Sequence, residues 1–318
     1  MRNLVCVALC SAALLAAETP ALTLLVGNKD ENSLAFVDPA TGKVLGRVAT
    51  GEGPHEVAAS ADGKLAFVAN YGTGQSPGST ISVIDAVNMK EVRKVNLGPM
   101  RRPHGLAVAD GKLYFTVEAN RIVGRYDWSA DRIDWAMGTG QNTTHMVVVS
   151  KDGTVFTANI GSDTITIIDR TSATAVPVGK GPEAIDLSPD GKELWTGHSR
   201  DGGVSIIDVA SKKVIATMSL GTKRSNRLKF TPDGRRVLLT DLDAGELLVL
   251  DAPARKEIMR LKLGKSPEGI LMAKDGSRAY VCVAGDDRID IVDLKTLQVT
   301  GHLTTGKGPD GMAWADRR

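Results

Sequence analysis

One phrase is written seven times in this chain. GEGPHEVAASADGKLAFVAN around Pro54 returns as GKGPEAIDLSPDGKELWTGH around Pro182 and as GKSPEGILMAKDGSRAYVCV around Pro267. Weaker copies start at Pro103, Thr144, Ser225 and Pro309, and the seven points are separated by 49, 41, 38, 43, 42 and 42 residues. A period near forty that carries alternating strands and Asp-Gly turns predicts a β-propeller, with one radial sheet per repeat. Counting first strands predicts an all-β fold of seven blades, each of four antiparallel strands. Equivalent positions in every repeat then fall on one circle, so a linear pattern can be read as a site.

The turns and strand ends agree with this. Asp-Gly pairs recur between the first and second strands, at Asp62-Gly63, Asp110-Gly111, Asp152-Gly153, Asp190-Gly191, Asp233-Gly234 and Asp275-Gly276. Third strands are β-branched and end in Asp (Asp85, Asp169, Asp208, Asp293), where turn chemistry is the expected role. The repeat is out of phase with the chain. Its first strand-like run, LTLLVGN, matches a second strand, and a lone first strand follows Pro309. That last strand is expected to complete the first blade and close the ring, leaving no exposed edge.

Residues 1–17 read as an export signal. Arg2 supplies a positive start, Leu4 to Leu15 is an apolar run too short to span a bilayer, and Ala16-Ala17 offers a small-residue cleavage site. The propeller then occupies 18–318 as one domain, and the destination is the periplasm or the exterior. Removing the signal takes Cys6 and Cys10 and leaves Cys282 alone, so no disulfide framework exists and this thiol is expected in the core. A formal charge of +2 over 318 residues gives no overall nucleic-acid-binding charge and no signature of disorder.

The pattern G-x-x-P-x-x-I/V-x-x-S-x-D-G-K, followed by FVAN and STISVID, resembles the YVTN-type seven-bladed propeller repeat family, and the likeness covers almost the whole mature chain. It implies the fold strongly and the function weakly. Relatives of this kind are mostly exported binding or surface proteins, with distant similarity to lactonase-type propellers. Of the lactonase pattern this chain carries the pairs Pro54-His55 and Pro103-His104.

The register supplies a candidate site. The position after the repeat proline holds His55, His104, His145, Glu183, Asn226, Glu268 and Asp310 in turn. The second strand runs back antiparallel, so its last residue is expected on the same face. Those residues are Asn28, Asn70, Glu118, Asn159, His198, Asp241 and Val283. Loops entering the first strands carry Arg101, Arg102, Lys180, Lys223, Arg224, Lys265 and Lys307, with Arg227 just inside, a basic rim suited to anions.

Three readings of this face stay open. It is a polar, water-filled channel; or it holds a divalent metal (zinc, copper or manganese) on His55, His104, His145 and Glu183; or it binds a small molecule without metal. The ligand contacts expected there are Asn70, Tyr71, Arg101, Arg102, Glu118, Asn159, His198, Arg227 and Asp241. Were it an enzyme, it would be a lactonase-like hydrolase or lyase with Glu268 or Asp310 as base. A protein partner on blade edges, or single-stranded nucleic acid at the basic rim, are further alternatives. The last needs stacking aromatics, of which only Tyr71 is an obvious candidate.

Other motifs fail on context. Gly74 to Gly78 fits G-x-S-x-G but lies between two strands rather than at a strand-to-helix elbow. It is an insertion on the ring face, placed to act as a flap. Gly301 to Gly308 lacks the Ser/Thr and the helix of a phosphate loop. No C-x-x-C-H haem motif occurs, and five histidines are too few for a copper-sulfur centre built on seven.

Overall fold

The computed structural model describes residues 19–318, so the expected export signal lies outside the described residues. Within them are seven four-stranded antiparallel sheets and no α-helix, only three short 3-10 turns at Lys29–Glu31, Glu118–Asn120 and Ala284–Asp286. The inner strands, in blade order, are Pro309–Asp316, Pro54–Ala59, Pro103–Ala109, Thr144–Val149, Pro182–Leu187, Ser225–Phe230 and Pro267–Met272. Each touches the inner strand of the next blade around the whole ring. In blade 1 the C-terminal strand pairs with Leu22–Asn28, which closes the circle as the repeat phase requires.

Local chemistry explains the repeat. The Asp of each S/T-x-D-G turn accepts the hydroxyl two residues before it and the backbone N–H two residues after it. Ser60 donates to Asp62 at 2.6 Å, Ser188 to Asp190 at 2.7 Å and Thr231 to Asp233 at 2.6 Å. The Asp residues ending the third strands do similar work: Asp85 accepts from the N–H groups of Val87 and Asn88, and Asp293 from Lys295 and Thr296. The middle strands bury both faces, and apolar clusters form between adjacent blades. Trp195 of blade 5, fully buried, meets Phe230 of blade 6 edge to face at 5.5 Å. Cys282 is buried in the cluster between blades 7 and 1, the core role its sequence suggested.

One irregularity recurs in every blade and creates the site. All seven inner strands carry one more residue than their partner just after the repeat position, for example between Pro54 and Val57 and between Pro267 and Ile270. Such a bulge bends the strand and re-aims its side chains. The strands also approach closely there. A Cβ added to Gly269 would lie 2.0 Å from the Asp310 carbonyl oxygen, and one on Gly311 2.2 Å from that of His55. Only glycine lets these backbones pass so near.

Candidate binding site at the channel mouth

The bulges bring His55, His104 and His145, from blades 2, 3 and 4, into one stacked row. Ring centroids are 4.9 Å apart between His55 and His104 and 3.7 Å between His104 and His145. Tyr71, from the second strand of blade 2, meets His55 edge to face at 4.7 Å and His104 at 5.5 Å. Its hydroxyl donates to Glu118 Oε2 at 2.5 Å, while the other oxygen of Glu118 bonds His145 Nδ1. The Arg102 guanidinium lies over the Tyr71 ring at 4.8 Å and donates to the carbonyl of Thr73, the residue before the expected flap.

Across the channel is a network of charges. Lys29 Nζ lies 2.9 Å from Glu268 Oε2 and 3.6 Å from Asp310 Oδ2. Asp310 also bonds His55 Nδ1 at 2.7 Å, so His55 joins the imidazole row to the charged wall. Arg227, buried in blade 6, reaches Glu56 of blade 2 at 2.5 Å and comes within 3.5 Å of Asp310. These blades stand three apart in a ring of seven, so the guanidinium braces the channel across its width. Glu183 lies 3.2 Å from Arg224 and accepts from Asn226 Nδ2 at 2.8 Å.

Proton affinities follow from this packing. Burial, with the neighbouring His145 and His55, pushes His104 well below the ordinary imidazole value, so it is neutral at neutral pH. Burial, together with the Asp310 carboxylate, lifts Glu268 to about 8 against the opposing pull of Lys29. Burial opposes ionisation of Asp310, but Lys29, His55 and Arg227 outweigh it and hold its carboxyl below the usual range. Burial also opposes ionisation of Glu118, and the His145 and Tyr71 hydrogen bonds overcome it.

The structure divides the residues expected at the second-strand position. Asn70 accepts from the Gly51 N–H and donates to Thr80 and Ser82; Asn159 donates to Thr164 and Thr166. Asp241 accepts from the N–H groups of Lys223 and Arg224, and His198 bonds Asp201 at 2.9 Å. These four tie loops and neighbouring strands together and do not join the imidazole row. Glu118 does, and the reason is local. In blade 3 Asn120, within the 3-10 turn, accepts the Arg101 N–H at 2.7 Å, the loop-tying job that Asn70 and Asp241 do elsewhere. That releases Glu118 toward the channel. The exposed Arg101 side chain turns back to the carbonyls of Gly98 and Met100. His302 pairs with Asp290 on the outer side, away from the row.

Glu56 and Lys29 were not singled out in the sequence. Glu56 sits one residue beyond the ring register, where the bulge adds a second inward position; Lys29 follows Asn28 in a 3-10 turn. The pairing of Glu56 with an arginine 171 residues away left no local trace.

Comparison with known proteins places this geometry in context. A family model described as a YNCE-like β-propeller matches residues 1–177. The chain is 26% identical over 141 residues to the hydrazine synthase subunit beta of Kuenenia stuttgartiensis, 36% of each chain. It is 23% identical over 177 residues to the uncharacterised protein YncE of Salmonella typhimurium, covering 53% of this chain and 50% of that one. The chain thus spans half or less of these curated relatives. Among solved structures, Kuenenia stuttgartiensis hydrazine synthase is similar with a TM-score of 0.77 at 19% identity, covering 87% of this chain and 93% of that one. The periplasmic gluconolactonase of Pseudomonas aeruginosa is similar with a TM-score of 0.75 at 18% identity, covering 92% and 98%. At such identities the likeness is one of fold.

Proposed function

Because the chain belongs to the YNCE-like β-propeller family, we propose that it is an exported binding propeller that receives a small polar molecule with an anionic oxygen at the mouth of its central channel. One observation carries the reading. Six buried side-chain atoms among the described residues lack a hydrogen-bond partner, and four of them (His104 Nδ1, His145 Nε2, Arg227 Nε and Asp310 Oδ1) belong to this one channel face. Native proteins satisfy nearly all such groups, so a concentration of them in one place marks a ligand-facing surface. The half-exposed Lys29 and Arg102 and the exposed Arg224 stand around it and favour an anion. Nucleic acid fits less well, since Tyr71 is occupied by Glu118, Arg102 and two imidazoles and offers no free stacking face.

Calorimetric titration with small carboxylates, sugar acids and their lactones tests the proposal. A ligand is expected to bind the parent and to lose at least about tenfold in affinity with Lys29→Met or His55→Ala, the loss of one charge-assisted contact. Identical responses of parent and variants, or no response to any of the panel, refute it. Export is checked by fractionating cells that make the full chain, with the protein expected outside the cytoplasm. No helix of the described residues is long and apolar enough to cross a membrane.

A second reading, hydrolysis of lactones, is favoured by Glu268. A carboxyl with its pKa near 8, beside the His55–Asp310 pair, is suited to move protons at neutral pH. The name of the similar gluconolactonase suggests the substrate class to try first. Turnover of a sugar lactone that is lost in Glu268→Gln, with ligand affinity retained, would favour it over simple binding.

A further inference from the structure

We propose that His104, Glu118 and His145 hold one divalent first-row transition-metal ion, at the zinc or copper end of the series, in the wall of the channel mouth. The inference uses the same face as the ligand reading and deepens it, since a bound ion supplies a point of attachment for an anionic oxygen.

The three residues each bring a donor atom within 4.8 Å of the donors of the other two. Metal–nitrogen and metal–oxygen bonds are about 2.0–2.2 Å, which puts neighbouring donors about 3.4 Å apart in a tetrahedral site. Closing the set around an ion therefore asks for side-chain movements of about 1 Å. The imidazoles are 3% and 7% exposed, and His104 Nδ1 and His145 Nε2 are both buried without a partner. A buried imidazole nitrogen bonded to nothing is costly in a folded protein and is what a metal ligand looks like before the metal is added.

The surroundings suit the ion. Glu118 Oε1 and His145 Nδ1 are in direct contact, so an ion held by both takes the place of the hydrogen they share. Tyr71 holds the other carboxylate oxygen and so orients Glu118 in turn. Two imidazoles and one carboxylate suit zinc and copper, whereas calcium and magnesium prefer all-oxygen cages. Glu183, expected from the repeat register as the carboxylate ligand, is engaged by Arg224 and Asn226, and Glu118 takes its place.

Untagged protein stripped with a chelator and titrated with zinc by calorimetry is expected to bind one equivalent. His104→Gln or His145→Gln should weaken that binding at least about 100-fold, and Tyr71→Phe, acting only by positioning Glu118, about tenfold. His302→Gln, outside the site, should change nothing. Cobalt(II) provides a reading that needs no variant: the parent should develop visible d–d absorption at one equivalent. No saturable site, no cobalt spectrum, or equal zinc affinity in folded His104→Gln would each overturn the proposal. Repeating the small-molecule titration in excess chelator separates the two readings. Ligand binding that persists there with no zinc site overturns the metal alone, and a zinc site with no ligand overturns the ligand alone.

Discussion

Replacing Arg227 with methionine removes a cation that spans the channel. The side chain is about 7% exposed and its carboxylate partners are Glu56 at 2.5 Å and Asp310 at 3.5 Å, themselves 14% and 1% exposed. Asp310 keeps His55 and Lys29, so it remains paired. Glu56 loses the one ion pair it makes among the described residues and is left largely buried without a partner. Removing one partner of a buried pair costs about 3–5 kcal/mol, and the residual solvent contact of Glu56 puts this case near about 3 kcal/mol. The companion variant Arg227→Met/Glu56→Leu leaves no orphan charge and should recover about 2 kcal/mol of that, because an apolar replacement of a whole buried pair is often close to neutral. Urea unfolding followed by circular dichroism measures both, with unchanged slope showing that stability alone has moved. A single-variant loss below about 1 kcal/mol, or a double variant equal to the sum of its parts, would refute the reasoning that the brace neutralises an otherwise stranded carboxylate.

Three other outcomes are expected. Glu268 has a raised folded pKa, so its contribution is fully present below its ordinary value of 4.5 and is lost as pH rises through about 8. Urea midpoints should therefore fall across that window, and Glu268→Gln should flatten the fall; an unchanged profile would refute the assignment. Gly269→Ala drives a methyl into the Asp310 carbonyl and should cost about 3 kcal/mol, whereas Gly138→Ala meets nothing within 4 Å and should be near neutral. Equal urea midpoints for the two variants would count against close strand approach. A chain ending at Gly308 lacks the strand that pairs with Leu22–Asn28 and should lose its cooperative thermal transition; a sharp melt would show that closure is dispensable.

The architecture was legible because every blade repeats the same instructions. Pro54, Pro182 and Pro267 mark inner-strand starts, and so do the faint copies at Thr144 and Ser225, since register is set by strand alternation and turn chemistry together. The row of His55, His104 and His145 followed from that register. What did not follow was side-chain direction at the strand ends. Asn70, Asn159 and Asp241 share a linear position with Glu118, yet a three-residue turn and Asn120 decide which of them faces the channel. A bulge shifts which residues point inward by one, which is why Glu56 and Arg227 belong to the same layer while only Arg227 drew attention.

The closing strand has a consequence for the order of events during synthesis. Asp310, which orients His55 and faces Lys29 and Arg227, sits on the last of the propeller's strands to leave the ribosome. The imidazole row is translated early, with Glu118 to hold its His145 end, but the carboxylate that anchors His55 arrives only when the circle is shut. A partly made chain therefore carries His55 without the carboxylate that holds it, and competence at the channel mouth doubles as a certificate that the whole ring has been assembled.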